Sequence, residues 1–80
     1  MSIEQQIDLA IAYKRTSLAA IARAMGITRQ SLYRKILRNT LKKEELCQIG
    51  KILGAKYLSA FSFPGGIIIG DKIGGDKPLG

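Results

Sequence analysis

Residues 18–37 read LAAIARAMGITRQSLYRKIL. The first eight are rich in alanine, the best helix former, and Ile21 and Met25 make an apolar pair four apart. Ala22 lies beside them, small enough to let another helix approach. Gly26 ends this helix, because glycine takes the left-handed C′ conformation at little cost. Only Ile27 and Thr28 precede the next helix. Ile27 is apolar in a turn and is expected to point into the core. Thr28 is placed to cap a helix that begins at Arg29. Leu32 and Ile36 form its inward side, and Leu37 is expected to widen that stripe. The unit is therefore helix, tight glycine turn, helix.

The polar side of the second helix carries Arg29, Gln30, Tyr33, Arg34 and Arg38 and no acid. An ordinary solvated helix mixes Glu and Lys. The same bias extends over the chain, whose net charge is +7. No Asp or Glu lies between Leu9 and Lys43, an interval holding Lys14, Arg15, Arg23, Arg29, Arg34, Lys35, Arg38, Lys42 and Lys43. Such a block fits a polyanionic partner or, on composition alone, a solubilising surface. An anionic membrane fits less well, because the charge is spread over several short elements.

With 80 residues the chain has room for one small domain. A single cysteine, Cys47, excludes an intrachain disulfide, and with no histidine it removes zinc-finger and zinc-enzyme readings. Cys47 reads as a small packing residue. No metal or cofactor is expected. An enzyme is not expected either: there is no histidine, no glycine-rich phosphate loop on a strand–helix unit and no carboxylate pair in an apolar setting. The opening residues MSIEQQIDLA lack the basic start of a signal peptide, and no apolar run approaches the roughly 18 residues of a membrane span. An intracellular protein fits best.

Outward from the central unit, Ser2 and Gln5 fit a capping box that starts a first helix. Ile3, Ile7, Ala10 and Ile11 define its buried stripe, and Lys14 and Arg15 sit at its end. Ser17 is placed to cap the second helix. After the break at RNT, a fourth helix covers Lys43 to Leu53. Leu46, Ile49, Ile52 and Leu53 follow the helical period, Glu44 and Glu45 lie in the first turn, and Gly54 supplies the stop. Beyond it, KYLSAFSF alternates. Tyr57, Ser59, Phe61 and Phe63 share one face and Leu58, Ala60 and Ser62 the other, the period of a strand. PGG reads as a turn and IIIG as a second strand. The expected fold is mainly α, four short helices followed by a C-terminal β-hairpin. Residues 1–54 form the helical domain, 55–70 the hairpin and 71–80 a flexible glycine-rich tail.

The segment LAAIARAMGITRQSLYRKI resembles the helix-turn-helix of phage repressors and Cro proteins, the Xre-like family. Ala22 matches the small-residue position, Gly26 the turn glycine, Ile27 the apolar residue after it and Leu32 the buried position of the second helix. TRQS, Thr28 to Ser31, is similar to the T-x-Q-S start of repressor recognition helices. The likeness extends over residues 3–54, and FSFPGG resembles an ending of small phage-type regulators. It implies a lambda-repressor-like bundle and a cytoplasmic repressor in a bacterial host. There are departures. Lys35 stands where the family has a large apolar residue, Leu18 where it often has a phosphate-touching Gln, and LRN replaces the usual ENG.

The arrangement also has a physical reason. A major groove about 12 Å wide admits one helix, and a second helix packed across it fixes its angle. Side chains that reach bases must then lie at the N-terminal end and along one outward face. Arg29, Gln30, Tyr33 and Arg34 meet that spacing. Arg pairs with guanine and Gln with adenine through two hydrogen bonds each. Ser17, Thr28, Ser31, Arg38, Asn39, Lys42 and Lys43 flank this face and are the candidates for phosphate contact. The hairpin is too apolar for a wing on DNA. Tyr57, Phe61, Phe63 and Ile68 are expected at a homodimer interface, unless the hairpin only covers its own subunit's core. The expected partner is double-stranded DNA. The alternative is a protein-interaction module on the same fold, of the phage-inhibitor or toxin-partner kind.

Overall fold

The computed structural model describes residues 1–58 and 60–70. It contains α1 (Ile3–Lys14), α2 (Leu18–Met25), α3 (Arg29–Leu37), α4 (Lys43–Leu53), β1 (Lys56–Tyr57), β2 (Ala60–Ser62) and β3 (Ile68–Gly70). The chain is thus mainly helical with a small C-terminal antiparallel sheet. The expectations for Ser59 and for the tail 71–80 lie outside the described residues. No helix among the described residues is long and apolar enough to cross a membrane.

The helix starts follow from local chemistry. Ser2 Oγ accepts from the Gln5 N–H at 3.1 Å, and Gln5 Oε1 accepts from the Ser2 N–H at 3.0 Å. Ser17 Oγ serves the Ala20 N–H and Thr28 Oγ1 the Ser31 N–H. Each satisfies donors that the first turn leaves free. Gly26 and Gly54 end α2 and α4 at φ 77° and 78°, where a side chain would be strained.

The helices close on one core. Ile7 and Ala10 of α1 meet Ile21 and Ala22 of α2, Leu32 and Ile36 of α3, and Leu46, Ile49 and Leu53 of α4. Phe61 and Phe63 complete it from the sheet side. Burying one such side chain contributes roughly 1.5–3 kcal/mol. Gln6 is the polar member of this interior. Its Nε2 donates to the Met1 carbonyl at 3.2 Å, while its Oε1 is buried without a hydrogen-bond partner among the described residues.

Two apolar assignments on the helices are corrected. Leu37 does not widen the inward stripe of α3; it is 53% exposed. At 3.6 residues per turn it lies about 100° around the helix from Ile36, off the line that Leu32 and Ile36 set. Ile52 likewise lies on the outer side of α4, at 36% exposure. Gly50 occupies the buried stripe instead. A Cβ there would stand 3.2 Å from the Ala55 carbonyl oxygen and 3.4 Å from Tyr57 Cβ. The chain returns directly across α4, and a side chain at this position would press against it.

The hairpin is also corrected. The alternating stretch is not one strand. It turns back after Tyr57, so that β1 and β2 pair antiparallel with Tyr57 opposite Phe61 and Lys56 opposite Ser62. Residues 57 and 61 have the same parity in a continuous strand and in this reversal, so alternation cannot separate the two. Their rings meet at 4.7 Å. β2 is the central strand, with β3 on its other side. Phe63 lies beyond β2, and its N–H donates to the Ile67 carbonyl at 2.8 Å. Gly65 and Gly66, at φ 91° and 90°, make the intervening turn.

Candidate nucleic-acid interface

α3 is held from behind and open in front. Leu32 and Ile36 are buried against the core, and Ala22 of α2 is only 1% exposed. The Gly26 turn is closed by the Ile27 N–H donating to the Ala22 carbonyl at 3.0 Å. α2 and α3 are therefore locked at a fixed angle by two elements of local chemistry, a glycine cap and a threonine cap.

The open side carries Arg29, Gln30, Tyr33, Arg34 and Arg38, all exposed. Arg29, Arg34 and Arg38 make no ion pair with a described residue. The four candidate base readers run from the first residue of α3 to Arg34 in its last turn. Arg29 and Tyr33 are not independent. The Arg29 guanidinium carbon stands over the Tyr33 ring, 5.9 Å from its centroid. Leu37 continues the exposed side toward the C-terminus. The spacing of four between Arg29 and Tyr33 is the sequence signal for this helix-surface pair.

The flanking candidates fall into four kinds. Ser17 and Thr28 use their oxygens as cap acceptors, which leaves each hydroxyl hydrogen free to donate. Ser31, Arg34, Lys35, Arg38 and Thr40 line a shallow cleft on the trailing side of α3. Asn39 adopts φ 55° and closes the helix, its N–H donating to the Ile36 carbonyl at 3.1 Å. Asparagine tolerates that left-handed position better than most residues. Lys42 and Lys43 follow at the start of α4, with exposed side chains.

Lys35 departs from the other cations. Its Nζ pairs with Glu45 Oε2 at 2.5 Å. Glu45 Oε1 in turn accepts the Lys42 N–H at 2.9 Å. The Lys35 hydrogen bond, then that of Lys42, holds the Glu45 carboxyl below the usual carboxylate range. This acid thus spends its charge locally and leaves the outward face positive. In sequence Glu45 is a first-turn acid of α4. Its spacing three residues after Lys42 was the available signal.

The candidate dimer residues do not act together. Phe61 is 0% and Phe63 3% exposed within a single subunit. The Phe63 ring packs edge-on against Tyr13 at 4.9 Å. These rings belong to the subunit's own core and have no side-chain area left for a second copy. Tyr57 is half-buried, and burial pushes its hydroxyl pKa up. Ile68 alone of the four is open, at 63% exposure. It lies on β3, an edge of the sheet, beside exposed Ile67.

Compared with family models, with curated proteins and with solved structures, the chain matches none.

Proposed function

We propose that this chain is a sequence-specific regulator that binds double-stranded DNA through α3, in the manner its resemblance to phage repressors and Cro proteins implies. The observation that carries this reading is the outward side of α3. It is capped, backed by α2, and lined by three arginines and a glutamine with no paired acid among the described residues. A positive face on a single helix suits a groove walled by phosphates. Arg29, Gln30 and Arg34 then face base edges. Ser17, Thr28, Ser31, Arg38, Lys42 and Lys43 meet the backbone on either side.

A single helix reads only a few base pairs, so the reading includes a two-fold dimer. The burial of Phe61 and Phe63 moves its proposed seam to the outer edge of β3, where Ile68 is exposed. Strand edges present unpaired N–H and C=O groups that a symmetry mate can satisfy. The two copies of α3 then sit about 34 Å apart on an inverted repeat.

The test is a titration with a random-sequence duplex at two salt concentrations. DNA binding through this face gives an affinity that falls steeply with salt, as phosphate contacts displace counterions. No binding, or a flat salt dependence, removes the reading in favour of a protein-interaction module.

A further inference from the structure

We propose that Tyr33 is a positioning residue: its ring face holds the Arg29 guanidinium at the leading end of α3 and thereby sets discrimination at the base pair that Arg29 reads. This rests on the DNA-binding reading above.

Three observations on the molecule lead to it. First, Arg29 is the opening residue of α3, where the helix dipole repels a cation. No described acid pairs with it. Among the described residues its long side chain therefore has no partner on the backbone or on a carboxylate. Second, the Tyr33 ring lies under the guanidinium at 5.9 Å, near the outer reach of a cation–π contact, which is about 6 Å. The pair is one turn apart on the same side of the helix, so the contact forms within α3 itself. Third, Tyr33 is 42% exposed and does no core packing that would explain an aromatic ring.

The geometry suits the chemistry. A guanidinium held over a ring face by its carbon keeps N–H donors free. Bidentate pairing with guanine O6 and N7 needs that edge directed along the groove. An exposed arginine otherwise samples many rotamers, and ordering it on binding weakens recognition. The ring removes part of that cost before DNA arrives. At this distance and exposure the benefit is modest, about two- to fivefold in affinity.

The experiment has a DNA-free arm and a DNA arm. In the free protein, the Arg29 side-chain protons are expected to show an upfield ring-current shift by NMR. Tyr33→Phe retains it, and Tyr33→Leu, which keeps apolar bulk without a π-face, abolishes it. In the DNA arm, affinities are measured for the site selected by the native chain and for variants of the base pair that Arg29→Ala ceases to distinguish. Tyr33→Leu is expected to lose about two- to fivefold discrimination at that pair, and Tyr33→Phe to restore it. In an Arg29→Ala background, Tyr33→Leu should change nothing further. Absence of the ring-current shift overturns the proposal whatever DNA does. A Tyr33→Leu loss that persists in the Arg29→Ala background, or falls at another base pair, also overturns it, making Tyr33 a direct base contact. A ring-current shift in a protein that selects no duplex removes the DNA-binding reading and this role with it.

Discussion

Lys35 of α3 and Glu45 of α4 are joined by an ion pair of 2.5 Å across the turn between the two helices. In repressors of the resembled family a large apolar residue is expected at position 35. Here a half-buried lysine stem and a charged tip take its place, tied to the acid that also caps Lys42. The clasp fixes the trailing end of α3 against the start of α4. It also engages the charge of Glu45 locally.

The clasp should make stability pH-dependent. Hydrogen bonding to Lys35 holds the folded Glu45 pKa below its unfolded value. The stabilisation is therefore complete above the ordinary glutamate range, around pH 4.3, and is lost as pH falls through the depressed folded value. Both partners are reached by solvent, so the effect stays below about 1 kcal/mol. Urea denaturation between pH 2 and 7 checks it, using ~ half-unit steps. Glu45→Gln should flatten the acid limb and weaken the protein at neutral pH. An unchanged acid limb would show that the pair does not persist in solution.

Arg38, Lys42 and Lys43 flank α3 without sharing its leading end. Replacing any one with Ala should weaken all duplexes alike and lower the logarithmic salt slope by about 1. Affinity measured on specific and random DNA over a salt series reads both quantities. A change in preferred sequence would reassign the residue to base contact.

The sheet residues separate folding from assembly. Phe61→Ala should cost about 3–5 kcal/mol, because the ring is fully buried in the subunit. Ile68→Asp should leave stability within about 0.5 kcal/mol, since the side chain is exposed. Only the second should produce a folded monomer in sedimentation. If the native chain is itself monomeric at tens of micromolar, with and without DNA, the β3 seam is wrong.

Gly70 pairs with Ala60, and a Cβ at residue 70 would stand 2.3 Å from Ala60 Cβ and 2.7 Å from its Cα. Neither atom can move without displacing β2. Gly70→Ala should therefore destabilise by about 1–3 kcal/mol in chemical denaturation. A neutral result would mean that β3 does not pair in this register.

The helical half was legible because its signals are local. Ser2, Ser17 and Thr28 announce the helix starts, and Gly26 and Gly54 the stops, each through chemistry within three or four residues. The inward line of α3 was equally clear from Leu32 and Ile36. What escaped depends on elements far apart in sequence. Gly50 is in the core because β1 folds back over α4. Phe61 and Phe63 are consumed by α1 and the helical core, so they do not wait for a partner. Leu37 and Ile52 are exposed because a helix has one buried line, and neighbours about 100° away fall off it. The candidate base-reading residues are exposed on α3, a placement that the position of Leu32 and Ile36 already sets. The proposed assembly site did not survive as drawn, because a ring's burial depends on the whole tertiary arrangement.

The central claim is that α3 reads base sequence. Selection of binding sites from a pool of random duplexes tests it most directly, with the native chain and an Arg29→Ala, Gln30→Ala double variant run in parallel. The account predicts that the native chain enriches an inverted repeat with half-sites one helical turn apart, about 34 Å. The double variant should lose discrimination at specific positions of each half-site, with each side chain responsible for about 1–3 kcal/mol there, while retaining most of its affinity for random DNA. No enrichment by the native chain, or the same enriched sequence from the double variant, would contradict it.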